Sequence, residues 1–186
     1  MRFAVAVLIA SFCVAAAPAP KKPVSAKKPQ IEELFAQLAK AGSTEEAKPI
    51  EDQIFALFEA SGSASVDLLM ARGTAALAGG DDDLAKKLFG SVTDIAPNFA
   101  EGWHQRAQIQ IQDSDDEAAM LSLQKTVTLN PRQFEAMSQL GDLLEEYGNK
   151  PGALAMYKRA LALDPQLEGV AKHVNALERD VEGQGI

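Results

Sequence analysis

The sequence is poor in the side chains that most often carry out chemistry. Its 186 residues include one cysteine, Cys13, and two histidines, His104 and His173. A disulfide within the chain needs a second cysteine, and a structural zinc site needs about four cysteine or histidine ligands. We therefore expect no disulfide, no metal site and no bound cofactor.

Positive charge is also scarce. Lysine and arginine total 18 against 26 acidic residues, which leaves a net charge of −8 with no basic cluster. Phosphate backbones and anionic lipid surfaces both attract clustered cations. Gly79-Gly80 lacks the lysine and hydroxyl residue that complete a phosphate loop, and no serine lies in a nucleophile-elbow pattern. These absences argue against nucleic-acid binding, membrane binding and enzymatic catalysis.

The first residues differ in composition from the rest of the chain. Met1-Arg2 is followed by an apolar run to Ala17 that ends in small residues, the layout of a signal peptide and too short for a membrane span. We expect residues 1–17 to be cleaved and the protein to be periplasmic. The alternative is lipid attachment at Cys13, but Phe12 stands where that reaction wants a small residue.

Residues 18–29 contain four prolines and four lysines. Proline disrupts helices, and this stretch has nothing apolar to bury, so it predicts a flexible tether. The alternative is a basic tail that touches an acidic surface.

A 34-residue period runs through the second half of the chain. Pro97, Pro131 and Pro165 are spaced by 34 residues, and four residue classes recur at fixed distances before them. These sets are alanine (Ala85, Ala119, Ala153), large (Phe89, Leu123, Tyr157), small (Gly73, Ala107, Gly141) and large again (Leu69, Trp103, Met137). Each unit predicts two amphipathic helices that touch at small residues, the second of which ends before the proline.

This pattern resembles the tetratricopeptide-repeat (TPR) motif. The unit 134–167 fits it best, the unit 100–133 departs at Gln110 and Thr126, and the unit 66–99 has Val92 where alanine is usual. The resemblance implies an all-α fold, an α-solenoid of helix-turn-helix repeats in a right-handed superhelical stack. Overall, the chain is similar to short exported bacterial TPR proteins.

Two flanking segments also have helical spacing. Residues 30–63 predict a helix pair, either a degenerate repeat or an N-terminal cap, with Ser43 and Glu46 as a capping box. Pro49 obscures where the second of these helices begins. Residues 168–182 predict a capping helix, since a solenoid needs a polar-backed end.

The resemblance implies that the first helix of each unit lines a concave groove that takes a peptide. The groove positions are Met70, Thr74, Leu77, His104, Gln108, Ile111, Ser138, Asp142 and Glu145. They contain no lysine or asparagine, so the carboxylate clamp of chaperone-binding TPR domains does not carry over. They run from apolar to acidic, which predicts a ligand with an apolar and a basic portion.

We therefore expect a non-catalytic protein-protein interaction scaffold or adaptor of the cell envelope, a monomer or weak dimer whose partner is a protein or peptide. The alternative function is a self-associating structural module of an envelope assembly.

Overall fold

The computed structural model describes residues 27–182, with side chains from 30 to 180. The predicted signal peptide and all but the last three residues of the predicted tether lie outside this range. Between residues 27 and 182 the chain forms nine α-helices and no strand, as the all-α prediction requires. They are α1 (Lys27–Leu38), α2 (Thr44–Phe58), α3 (Ala64–Ala78), α4 (Asp82–Ile95), α5 (Ala100–Gln112), α6 (Asp116–Leu129), α7 (Phe134–Glu146), α8 (Lys150–Leu163) and α9 (Val170–Glu182).

The repeats pack as helix pairs, α3 on α4, α5 on α6 and α7 on α8, and each pair packs on the next helix of the stack. Small residues stand at the contact. A Cβ built on Gly73 would lie 2.6 Å from the Phe89 ring, and one built on Gly141 would lie 2.6 Å from the ring of Tyr157. The small residues of the second helices, Ala85, Ala119 and Ala153, are fully buried. The prediction that small residues bring the paired helices together is confirmed.

The turns inside the three repeats share one geometry. An acid or amide side chain accepts a hydrogen bond from the backbone N–H three residues on, at Asp81, Asp115 and Asn149. The residue before each cap has a positive φ: 73° at Gly80, 59° at Ser114 and 77° at Gly148. Glycine adopts this conformation freely, whereas a side chain there costs about 1 kcal/mol.

The helices α1 and α2, which we call the N-terminal hairpin, form where a helix pair is predicted. Ser43 Oγ accepts from the Glu46 N–H at 3.3 Å, as in a capping box, although the Glu46 carboxylate accepts from the Gly42 N–H at 2.8 Å. Helix α2 continues through Pro49. Helix α1 begins at Lys27 and so includes Pro29, inside the predicted tether. Proline is tolerated there because N–H groups of a first turn have no helical partner.

The N-terminal hairpin does not stack on α3 as a preceding repeat would, because α2 and α3 are not closely packed. It lies instead against the loops that join later repeats. The centroid of the Phe134 ring lies 6.3 Å from that of Phe35 and 5.1 Å from that of Phe55. Gln166 Nε2 donates to the Ala41 carbonyl at 3.1 Å. The aromatic side chains of the hairpin thus pack against the first residue of α7.

Two further features complete the fold. Helix α9 packs on α8 through Val170, Val174 and Leu177, and these side chains share one apolar cluster with Tyr157. Its opposite face is exposed and charged, which suits the end of a stack. In the part of the chain that the structure describes, no helix has the length and apolar character needed to cross a membrane.

Candidate partner-binding groove

A cleft of about 600 Å³ separates the end of α2 from the surface of α3. Its walls are mostly small and apolar, with two carboxylates and no cationic side chain among the described residues that line it. They are Ala56, Glu59, Ala60, Asp67, Met70, Ala71, Thr74, Ala75, Ala78 and Gln105. The volume is in the range of ligand sites in proteins and fits a few side chains rather than a folded partner.

The two acids of this cleft are held differently. Asp67 Oδ1 accepts from the Ser61 hydroxyl at 2.6 Å and from its N–H at 2.9 Å, so its position is fixed. Burial raises the pKa of Glu59, and the nearby charge of Glu101 raises it further. A cation placed in the cleft would offset both effects on Glu59, because it would favour the charged form of that carboxyl.

Only the apolar end of the sequence-predicted groove reaches this cleft. Met70 and Thr74 line it, the first buried and the second exposed. Leu77 is half-buried and packs instead against the core of the first repeat. The cleft therefore brings together two of the nine predicted positions.

His104 is 1% exposed and lies at the centre of a polar network. Its Nδ1 lies 3.3 Å from Glu101 Oε1 and its Nε2 lies 3.0 Å from Gln139 Oε1. Burial lowers the pKa of His104, but the hydrogen bond and charge of Glu101 outweigh burial and raise it overall. Glu101 also accepts from Gln133 Nε2 at 3.0 Å. His104 therefore holds the fold together and offers a ligand no surface.

The acidic end of the predicted groove is engaged within the chain. The Tyr157 hydroxyl donates to Asp142 Oδ1 at 2.6 Å and lies 3.1 Å from Glu145 Oε2. Glu145 also pairs with His173 Nδ1 of α9 at 2.9 Å, while Asp142 remains exposed. Of the two carboxylates, Asp142 is the one a ligand could reach.

The remaining predicted positions are half-buried. Gln108 Nε2 lies 3.5 Å from His104 Nε2, and Ile111 packs against the main apolar core. Ser138 is half-buried on α7. None of the three lines the cleft beside α2.

Sequence reasoning missed two parts of the cleft. One is the wall at the end of α2, formed by Ala56, Glu59 and Ala60, and the other is the alanine floor, formed by Ala71, Ala75 and Ala78 of α3. Ala71, Ala75 and Ala78 follow an i, i+4, i+7 spacing, so they form one small-residue stripe along α3. That stripe is visible in the sequence. The opposing Ala56, Glu59 and Ala60 could not be found, because nothing local in the sequence indicates where the hairpin folds.

Comparisons with known proteins agree with this fold. A TPR repeat-containing protein of Rhizobium etli is 26% identical over 159 residues, which cover 86% of this chain and 78% of that protein. No protein-family profile matches the chain. The first TPR domain of Spaghetti (RPAP3), solved with an HSP90 peptide, has a TM-score of 0.58 at 19% identity and covers 63% of this chain and 93% of its own.

The Yersinia enterocolitica secretion chaperone SycD, solved with a peptide of the translocator YopD, has a TM-score of 0.57 at 12% identity. It covers 63% of this chain and 95% of its own. At such identities the structural neighbours establish the fold alone.

Proposed function

We propose that this chain, which has the all-α fold of tetratricopeptide-repeat domains, is a non-catalytic scaffold that binds a peptide segment of another protein in the cleft between α2 and α3. Two similar folds, the RPAP3 domain and SycD, were solved with peptides bound. The observation that carries the proposal is the lining of the cleft itself, which is alanine-rich with two acids and, among the described residues, no cation.

The lining defines the chemistry of the partner segment. The RPAP3 domain was solved with the peptide SRMEEVD, which carries three acidic side chains. Here Glu59 and Asp67 would repel such a peptide. The cleft is both apolar and acidic. A segment that places small apolar side chains on the alanine floor and a lysine or arginine near Glu59 matches both properties, since charge complementarity governs which partner is accepted.

A peptide-display selection on the purified protein tests this proposal. We expect enrichment of peptides with lysine or arginine beside apolar residues. Thr74→Arg places a cation inside the cleft and should weaken the selected peptides about tenfold or more, equal to about 1.4 kcal/mol. Leu121→Arg is the matched control, because Leu121 is 63% exposed on α6 and does not line the cleft. Acidic consensus peptides, or equal binding to both variants, would refute the site.

We also propose that this scaffold works in the periplasm as part of the cell envelope. The support is the layout of residues 1–17, with a positive start, an apolar run and small residues at its end. Intact-mass measurement after expression would test it. A mature chain that starts near residue 17 and is released by osmotic shock supports export, whereas an uncleaved cytosolic chain contradicts it.

The alternative of a self-associating module is separated from this proposal by light scattering of the purified chain. A monomer, or a weak dimer that dissociates on dilution, supports the scaffold. A stable higher oligomer would favour self-association as the main activity.

A further inference from the structure

Two buried carboxyl groups meet where the N-terminal hairpin touches the repeat stack. Glu51 of α2 is 6% exposed, and Asp164, the C-cap residue that follows α8, is fully buried. The two carboxyl groups are close enough to act on each other's ionisation. In the same region the Thr44 hydroxyl of α2 lies 3.5 Å from the Gln166 carbonyl in the loop after α8. Glu51 and Asp164 come from positions more than a hundred residues apart, so their contact exists only when the hairpin is docked.

The contact requires a proton. Asp164 Oδ1 accepts from the Gln166 N–H at 3.0 Å, but Asp164 Oδ2 is buried and receives no hydrogen bond from another donor in the described part of the chain. An ionised carboxylate can only accept hydrogen bonds, whereas a protonated one can donate. A proton on one member of the pair would therefore supply a donor that two ionised carboxylates lack.

The surroundings favour that protonated form. Burial raises the pKa of Glu51 to about 7, and the charge of Asp164 adds to the effect. Burial raises the pKa of Asp164 as well. Among the residues that the structure describes, a cation close to Glu51 is Lys48, whose Nζ is 3.6 Å from Glu51 Oε2 and 3.4 Å from Asp52 Oδ1. Two more acids line the cavity of about 210 Å³ beside Glu51, Glu135 at the start of α7 and Glu168 in the loop before α9.

The charge of Asp164 is not needed for its own turn. The equivalent residue of the preceding repeat is Asn130, whose Oδ1 accepts from the Arg132 N–H at 3.1 Å in the same way as Asp164 accepts from Gln166. An amide therefore serves this turn equally well. A carboxylate at the end of α8 also faces the negative end of the helix dipole. The acid is placed where it costs stability unless it is protonated or paired.

We propose that Glu51 and Asp164 form a pH-dependent contact, which we call the latch. At low pH the latch holds the N-terminal hairpin on the repeat stack and thereby fixes one wall of the partner cleft. The wall residue Ala56 follows Glu51 on α2 by five residues, or about 8 Å along the helix, and the wall residue Ala60 lies just beyond the end of α2. Release of the pair frees this wall. The regulatory part of the inference rests on the proposed function of the cleft, but the latch itself does not.

The direction of the pH effect follows from proton linkage. An ordinary glutamate has a pKa of 4.5, and that of Glu51 in the docked hairpin is about 7. Between these values the docked state binds more protons than the released state, so docking strengthens as the pH falls and weakens as it rises. Each unit of pKa difference changes the docking equilibrium about tenfold, so we expect a change of at least about tenfold across the window.

Distance measurements between two spin labels test the latch. Gln53 of α2 and Ala162 of α8 are exposed, so both are replaced by labelled cysteines in a Cys13→Ser chain. At about pH 5 we expect one narrow distance distribution, and at about pH 9 a second, longer and broader population. Glu51→Gln and Asp164→Asn each supply a permanent amide donor, so both should keep the narrow distribution at both pH values.

Glu33→Gln is the matched control, because it removes one exposed acid from the hairpin away from the pair. It should respond to pH like the parent. Identical distributions at both pH values in the parent would overturn the latch, as would an unchanged pH response in Glu51→Gln. Failure of the proposed function looks different: the distances would respond to pH and to Glu51→Gln, but no basic peptide would bind under either condition.

Discussion

The contact between Gly141 and Tyr157 gives the sharpest test of the packing argument. A methyl group added by Gly141→Ala would lie 2.6 Å from Tyr157 Cε1 and 2.8 Å from Cδ1. The ring cannot move aside easily, because it is fully buried and its hydroxyl is held at 2.6 Å by Asp142. Overpacking of this kind costs about 1–3 kcal/mol.

A second glycine separates this cost from helix propensity. Gly90 lies inside α4, and a Cβ built on it meets nothing within 4 Å. Alanine in place of a helical glycine stabilises by about 0.5–1 kcal/mol at both positions. Gly90→Ala should therefore raise the free energy of unfolding by that amount, while Gly141→Ala should lie about 1–3 kcal/mol below it.

Urea unfolding followed by circular dichroism measures both variants. The difference corresponds to about 2–4 °C in Tm for each kcal/mol in a chain of this size. Gly141→Leu adds more volume and should lose at least as much stability as Gly141→Ala. If Gly90→Ala and Gly141→Ala change the free energy of unfolding equally, the close packing of α7 on α8 does not require glycine at position 141. The argument that small residues bring the paired helices together would then fail.

Three other outcomes are expected from urea unfolding of single variants. Ser114→Gly relieves a side chain at a φ of 59° and should stabilise by about 1 kcal/mol, and a loss of stability would contradict the turn geometry. Glu101→Ala leaves the buried His104 without its carboxylate and should cost about 3–5 kcal/mol, whereas a loss below about 1 kcal/mol would mean that the network is dispensable. Phe134→Ala removes the fully buried ring that packs against Phe35 and Phe55 and should cost about 3–5 kcal/mol. Limited proteolysis of this variant should cut the N-terminal hairpin faster than the repeats. Equal rates of cleavage in both parts would show that Phe134 does not hold the hairpin in place.

The repeats could be predicted from the sequence because their determinants are local and periodic. Gly73 and Gly141 each meet a ring sixteen residues later, a separation that one helix pair and its turn fix. Capping by Asp81 and Asp115 is likewise determined within four residues. The TPR resemblance and these contacts therefore agree, and the all-α repeat fold is confirmed.

The position of the N-terminal hairpin could not be predicted, since its contacts join residues about a hundred positions apart. The carboxylate of Glu32 pairs with Arg132, whose guanidinium lies 3.7 Å above the Phe35 ring. Nothing in the spacing of residues 30–63 indicates these partners. The groove positions were predicted as if the stack stood alone, so the side chains that α2 adds to the cleft were missed.

If the cleft is the partner site, as proposed, the docked hairpin also limits which partners the repeats can accept. A bare TPR stack offers a long concave surface, but here α2 forms one wall of the cleft, and His104 and Glu145 are engaged within the chain. An extended peptide that spans all three repeats would have to displace these contacts, which lowers its net affinity. A short segment that enters only the cleft keeps them. Under the proposed function, the contacts that stabilise the hairpin therefore favour a small basic and apolar anchor over a long peptide.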